Sequence, residues 1–377
     1  MGSHKHSVLA AIAVAALPLT AALAQTESVF ESEDHRFTLE TVIDGLENPW
    51  GMAFLPNGDI LVTERPGRLR LIEEGQLVDQ PIDGLPDIRA QGQGGLLDVA
   101  IDPDFDQNSL VYLSYSAGGL LGSGTTVSRG RLDGLELVDV EEIFRAEPRS
   151  RGGRHFGSRL LFDDDGHLFI TTGDRGSRDY AQQLDDHRGS MIRLMPDGSV
   201  PLDNPFIGQA GALTEIFSYG HRNIQGIALD SETGILWTHE HGPRGGDEVN
   251  VIKPGLNYGW PVITYGEEYS GGSIGVGTQA DGMEEPATYW VPSIAPSGMA
   301  YYDGAAFEGW QGNLFVGALA GSLLVRLETD GEQITHEERL LEDYGRRIRD
   351  VKTGPDGLLY LLIDEAPGPL LKMVPAE

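Results

Sequence analysis

One pattern returns along this chain and fixes most of what it can become: a short apolar strand, an Asx-Gly turn, then a second apolar strand. It reads Trp50-Gly-Met-Ala-Phe-Leu-Pro-Asn-Gly-Asp-Ile-Leu-Val-Thr63, then Ser158-Arg-Leu-Leu-Phe-Asp-Asp-Asp-Gly-His-Leu-Phe-Ile-Thr171. It returns as Gln225-Gly-Ile-Ala-Leu-Asp-Ser-Glu-Thr-Gly-Ile-Leu-Trp-Thr238 and as Arg349-Asp-Val-Lys-Thr-Gly-Pro-Asp-Gly-Leu-Leu-Tyr-Leu-Leu362. Looser copies begin at Leu96 and Ser297. Asx-Gly between apolar runs marks a hairpin, because those residues accept the positive φ of a tight turn. Six copies, roughly 45–70 residues apart, predict an all-β chain, a six-bladed β-propeller of four-stranded antiparallel blades. Two stacked β-sandwiches fit the period less well. The run Phe37-Thr-Leu-Glu-Thr-Val is expected to pair with the last blade and close the ring.

Residues 1–24 combine a short basic start, an apolar run and small residues around Ala22-Leu23-Ala24, the pattern of a secretory signal peptide cleaved before Gln25. A membrane anchor is the alternative, disfavoured by Pro18 and by the shortness of the run. The expected organisation is therefore a signal peptide at 1–24, a short lead at 25–36 and one catalytic propeller over 37–377. The mature protein is expected to be periplasmic or secreted, without membrane insertion. With 58 Asp+Glu against 27 Lys+Arg the chain carries −31, which opposes nucleic acid and anionic membranes as partners. There is no cysteine, so disulfides, thiol nucleophiles and Cys-ligated metals are excluded.

Polar groups recur just before the repeated strands, where a propeller would turn them toward its funnel. Gln91-Gly-Gln93 precedes the second copy, His155 the third, His221-Arg222-Asn223 the fourth, and Arg347-Ile-Arg349 opens the last. A histidine there suits a general base near neutral pH. Arginines converging inside an acidic chain suit a ligand with anionic oxygens. His239-x-His241 would put two imidazoles on one strand face, a conceivable zinc or copper site, but no third ligand follows at fixed spacing. The Gly242-Pro243 turn followed by Asp247-Glu248 fits a hard cation such as Ca²⁺ better. The acidic runs Asp163–Asp165 and Asp185-Asp186 read as solvated surface.

Taken together, Gln-Gly-Gly-Leu-Leu at 93–97, His-Phe-Gly-Ser-Arg-Leu at 155–160 and Gly-His-Arg-Asn-x-Gln-Gly at 220–226 resemble the soluble quinoprotein sugar dehydrogenases. Gly-Pro-x-x-x-Asp-Glu at 242–248, Asn-Tyr-Gly-Trp-Pro at 257–261 and Arg-x-Arg-Asp at 347–350 extend the likeness from about residue 40 to the C-terminus. The resemblance is to the glucose/sorbosone dehydrogenase family, and nearer its aldose sugar dehydrogenase branch. It implies a six-bladed propeller, pyrroloquinoline quinone (PQQ) and Ca²⁺ as cofactors, and oxidation of an aldose at the anomeric carbon to the lactone. Electrons then pass to an external acceptor, a quinone or cytochrome. By resemblance His155 is the base and Arg222 the stabiliser of developing negative charge. Gln93, Arg222, Asn223, Ser293, Arg347 and Arg349 match cofactor-contacting positions. Gly242 and Pro243 match the catalytic Ca²⁺ site, and Glu248 and Tyr258 a second, structural one. The protein is expected to act as a monomer or homodimer.

Two positions depart from the family pattern. Ala320 stands where the family carries a lysine, a loss that bears on PQQ affinity unless Arg326 or another group compensates. Arg154 stands where the glucose dehydrogenase branch has an acid, so that branch's specificity does not transfer. The rival readings are a Ca²⁺-dependent lactonase-type hydrolase and a non-catalytic propeller binding module.

Overall fold

The computed structural model describes residues 1–2, 28–119 and 122–376; the signal-peptide reading of 1–24 falls almost wholly outside these residues. The described chain forms six antiparallel sheets, and each of the six sequence copies supplies the first strand of one sheet. Those first strands are Pro49–Phe54, Leu96–Ile101, Leu160–Phe162, Ile224–Asp230, Pro296–Tyr301 and Ile348–Thr353. They contact one another in sequence around a central axis. The result is a six-bladed β-propeller.

The last blade is closed by the N-terminal strand Arg36–Leu46, which pairs with Gly368–Pro375 in the register Phe37↔Pro375 through Leu46↔Gly368. Residues from the expected lead join it: Val29–Glu31 pairs with Arg36–Thr38 and adds a fifth, outer strand to this sheet. The apolar core is divided accordingly, one slab per blade interface. Leu61 and Leu69 meet Val111 and Leu113 between the first two blades, and Trp237 and Val249 meet Val316 and Val325 between the fourth and fifth. The last interface is sealed by Leu46, Leu362 and Leu370 against Met52 and Val62, so ring closure depends on the strand at 36–46.

Hydroxyl groups latch the blades together at four of the six junctions. Thr63 donates to the Leu97 carbonyl at 2.5 Å, Ser114 to Ser158 at 2.5 Å, Thr171 to Ile224 at 3.3 Å and Ser297 to Ile348 at 2.6 Å. Two of these latches, Thr63 and Thr171, are the residues that end copies of the sequence repeat.

Aligned on the repeat, one register of the six inner strands reads Gly51, Asp98, Arg159, Gly226, Gly298 and Asp350. The single arginine fills the axis: Arg159 Nη1 lies 3.3 Å from Asp98 Oδ1 and 2.9 Å from Asp350 Oδ1. Its Nε donates to the Gln225 carbonyl at 2.7 Å, Nη2 to the Arg349 carbonyl at 3.2 Å, and its guanidinium sits 4.2 Å from the Trp50 ring. The glycines make room, since a Cβ at Gly51 or Gly298 would strike the Asp98 or Asp350 carboxylate. Asp98 also accepts from Leu160 N at 2.9 Å and Asp350 from Met52 N at 3.2 Å. Burial holds the Asp350 carboxyl above the usual range, with Arg159 pulling the other way.

Candidate active site

Antiparallel pairing puts the start of each inner strand and the end of the second strand at the same rim. Residues just before one and just after the other therefore gather at one mouth. The first group holds Gln93, His155, Arg222, Asn223, Arg347 and Arg349; the second holds Asp174, Glu240 and Asp364.

His155 sits in a left-handed backbone conformation, φ 54°, between Gly-rich segments, with its N–H donating to Gln93 Oε1 at 2.7 Å. Its Nδ1 lies 2.6 Å from Asp174 Oδ1. Asp174 is itself fixed, by Gly176 N at 2.6 Å and by the Trp260 indole N–H at 2.9 Å. An ionised Asp174 assigns the imidazole proton to Nδ1 and leaves Nε2 with a free lone pair. No group among the described residues hydrogen-bonds that Nε2. Burial lowers the His155 pKa below its usual 6.5, aided by the charges of Arg222 and Arg154 and opposed by Asp174. Hydrogen bonds from His155 and Gly176, with the charge on Arg222, keep the Asp174 carboxyl below its ordinary value against burial. The pair thus has a neutral base oriented by a carboxylate.

Beside it lies a cavity of about 440 Å³ lined by Gln93, Asn223, His241, Arg347, Arg349 and Asp364 among others. Trp50, Leu97 and Phe156 form an apolar cluster against its wall. Arg347 Nη2 donates to Asp364 Oδ2 at 2.8 Å and Arg349 Nη2 to the same oxygen at 3.2 Å. One carboxylate is thus shared by two arginines, and Arg349 Nε is buried with no partner. Arg222 stands next door, its Nη1 on the His241 carbonyl at 2.8 Å and its guanidinium 5.4 Å from the Trp260 ring. Asn223 Oδ1 accepts from Gly157 N at 3.1 Å, tying the third and fourth blades at the rim.

Ser293 does not line this cavity; its hydroxyl donates to Asp247 Oδ2 at 2.5 Å and orders the loop into the fifth blade. Ala320 does line it. Arg326 cannot replace the missing family lysine, because it is buried in the fifth blade between Glu338 at 2.7 Å and Asn313 at 2.9 Å. Arg347 reaches that place instead, donating through Nη1 to the Leu319 carbonyl at 3.2 Å, next to Ala320.

A second, small space of about 10 Å³ lies between Arg222, Glu240, His241, Gly242, Glu248 and Tyr258. That is room for a water-sized occupant. Glu240 and Glu248 face each other across paired strands, and Asp247 is adjacent. Burial together with the charges of Glu240 and Asp247 pushes the Glu248 carboxyl well above its usual range. The Gly242 N–H donates to Asp247 Oδ1 at 2.8 Å, and among the described residues no donor reaches the Gly242 or Pro243 carbonyl. A side chain at 242 would collide with the Gly245 carbonyl, so the turn admits only glycine there. Tyr258 contributes its ring, stacked 4.6 Å from His221, while its hydroxyl is spent on Val251 O at 2.7 Å.

His239 and His241 do not form a chelating pair. His239 is fully buried with both nitrogens unpartnered, whereas His241 Nε2 lies 2.6 Å from the Pro296 carbonyl. Asp163, Asp165 and His167 do bring three donor atoms within 4.8 Å of one another, in a surface hairpin tip far along the third blade from the rim. There His167 N and Nδ1 are already bound to Asp163 at 2.7 and 2.9 Å, so the cluster is a self-satisfied turn.

Fold and site together define a six-bladed propeller whose chemistry is carried by polar groups converging at one rim of its funnel. The chain belongs to the glucose/sorbosone dehydrogenase family: the model described as "Glucose / Sorbosone dehydrogenase" matches residues 46–372. Aldose sugar dehydrogenase YliI of Escherichia coli (strain K12) is 47% identical over 343 residues, covering 89% of this chain and 92% of that protein. A crystal structure of a glucose dehydrogenase aligns with TM-score 0.88 at 50% identity, over 90% of this chain and 100% of that one. The PQQ-bound form of aldose sugar dehydrogenase from Streptomyces coelicolor aligns with TM-score 0.76 at 29% identity, over 90% of this chain and 98% of that one.

Proposed function

We propose that this chain oxidises aldoses at the C1 hydroxyl to the lactone, with PQQ and Ca²⁺ as cofactors and an external quinone or cytochrome as acceptor. At the coarser level it is a quinoprotein oxidoreductase of the aldose sugar dehydrogenase kind. The observation that carries the finer reading is the His155–Asp174 pair beside an arginine-lined cavity. Export through residues 1–24 belongs to the same proposal; no helix among the described residues is long and apolar enough to cross a membrane.

The residues fit the cofactor. PQQ carries three carboxylates, and Arg347 and Arg349 share one carboxylate between them while Arg349 Nε lacks a partner. Gln93 and Asn223 would complete the cradle, and Arg222 supplies a fixed positive charge at its edge. The residues also fit Ca²⁺: free carbonyls at Gly242 and Pro243, and the crowded carboxylates of Glu240, Asp247 and Glu248. PQQ, when bound, supplies the acceptor for the C1 hydrogen and its electron pair, chemistry no side chain offers. His155 Nε2 takes the hydroxyl proton, Asp174 holds the imidazole in the tautomer that allows it, and the Trp50–Leu97–Phe156 cluster keeps water from that wall.

The test is reconstitution of purified apoprotein with PQQ and Ca²⁺, followed by dye reduction with several aldoses. A folded, PQQ-loaded sample that reduces no dye with any aldose removes the reading. A lactonase-type site needs carboxylate and Asn side chains around a central ion, and here the axis is occupied by the Arg159 guanidinium.

The state of His155 sets the pH dependence. Because burial lowers its pKa, the base is neutral through most of the working range and is lost only on acidification. The profile of kcat/KM against pH is expected to be flat near neutrality and to fall on the acid side with an apparent pKa below 6.5. An acid limb centred above 6.5 would contradict the buried, neutral imidazole.

A further inference from the structure

In a chain where carboxylates outnumber cations two to one, an arginine without a carboxylate is an exception. Among the described residues, Arg65, Arg89, Arg151, Arg154, Arg175 and Arg222 have no carboxylate oxygen within 4.0 Å. All six belong to the rim segments of the first four blades. Arg65 Nη1 donates to the Gly92 carbonyl at 2.9 Å, Arg89 Nε to Gln91 Oε1 at 2.9 Å, and Gln93 N to the Gly153 carbonyl at 2.8 Å. Arg175 binds the carbonyls of Arg154 and Gly152, and the Arg222 carbonyl accepts from Asp174 N at 2.8 Å. The exceptions therefore form one connected patch around His155.

Within it, Ser150 to Arg154 and Arg175 to Ser177 enclose an open groove of about 610 Å³. Arg151 and Arg154 are exposed along it, whereas Arg175 is 5% exposed and lies with its guanidinium 3.4 Å from the Phe156 ring. Arg175 Nε has no hydrogen-bond partner, and burial draws its pKa down to about 10. Gly176 leaves the space that Arg154 uses: a Cβ there would stand 2.5 Å from Arg154 Nε. Holding a buried cation, without a carboxylate partner and eased only by the neighbouring Asp174 charge, beside two exposed ones costs stability that an anion entering the groove would offset. The groove borders the reaction centre, since its residues Arg154 and Arg175 are the chain neighbours of His155 and Asp174.

We infer that this groove receives the anionic group of an acidic aldose, a carboxylate or phosphate carried away from C1, while the C1 hydroxyl meets His155. This rests on the dehydrogenase reading and narrows its substrate class. Charge-assisted bonds from a pair of arginines to one anionic group correspond to about a tenfold gain in kcat/KM over the neutral sugar.

The experiment compares glucose, glucuronate and glucose 6-phosphate with the PQQ- and Ca²⁺-loaded protein at low salt, in parallel with calorimetric binding of the two acidic sugars. The expected result is a preference of about tenfold or more for at least one acidic sugar, which separates a carboxylate from a phosphate site. That preference, and the calorimetric signal, should collapse in R151Q/R154Q and persist in the control R131Q, which removes a distant arginine paired with Asp133. Turnover of glucose with no acidic preference overturns the inference and leaves the dehydrogenase reading standing. If no sugar is oxidised, calorimetry still decides: binding of an acidic sugar lost in R151Q/R154Q supports the groove, and no binding overturns it. A double variant that raises KM only for the electron acceptor would assign the patch to acceptor docking and overturn it too.

Discussion

Replacing His155 by alanine is expected to lower kcat by about 10²–10⁴-fold, the usual contribution of a positioned general base. PQQ binding, followed by the absorbance of the loaded protein, is expected to be largely retained. The separation follows from geometry. The cavity is lined by Gln93, Asn223, Arg347 and Arg349, whereas the imidazole is held off to the Asp174 side at 2.6 Å. Position 155 has φ 54°, where either residue is strained, so a His155→Gln variant with the native thermal transition serves as the folding control. Unchanged turnover in both variants would remove His155 from the role of base.

The second large effect concerns stability. Arg159→Met is expected to destabilise the fold by about 3–5 kcal/mol, because it leaves two buried carboxylates, Asp98 and Asp350, without their common cation. The loss should appear as a lower urea midpoint with an unchanged slope. Combining it with Asp98→Asn and Asp350→Asn should recover most of the loss, since each amide still accepts the backbone N–H that its carboxylate held. A single-variant loss below about 1 kcal/mol would show that the axial cluster is solvated rather than sealed.

The propeller was legible in the sequence because its signal is local: an Asx-Gly turn between apolar runs needs no distant partner, and six copies give six inner strands. The closing strand at 37–42 was legible for the same reason, as an apolar run left over when the blades are counted. The site was legible only in half. Residues before the inner strands announce themselves by position, as His155 and Arg349 do. Their partners after the second strands, Asp174, Glu240 and Asp364, were missed. The signal existed, in Thr63-Glu64, Gly173-Asp174, His239-Glu240 and Ile363-Asp364, where an acid stands at or just beyond the end of the second strand in four of the six blades. Trp260 could not be placed in advance, because it lies in the long segment between Ile252 and Thr288 and reaches Asp174 only through the tertiary fold. Ser293 illustrates the converse, a residue that matches a motif while its hydroxyl is engaged by Asp247. The Arg159 register needs six strands superposed before its meaning shows.

The axial cluster also settles traffic. Arg159 and its two carboxylates stopper the bore directly behind Trp50, Gln225 and Arg349, which are themselves cavity residues. A vestibule with a blind end has a single doorway. A molecule that must sit inside the vestibule therefore enters and leaves by the same rim, and the far end of the bore offers it no second way in.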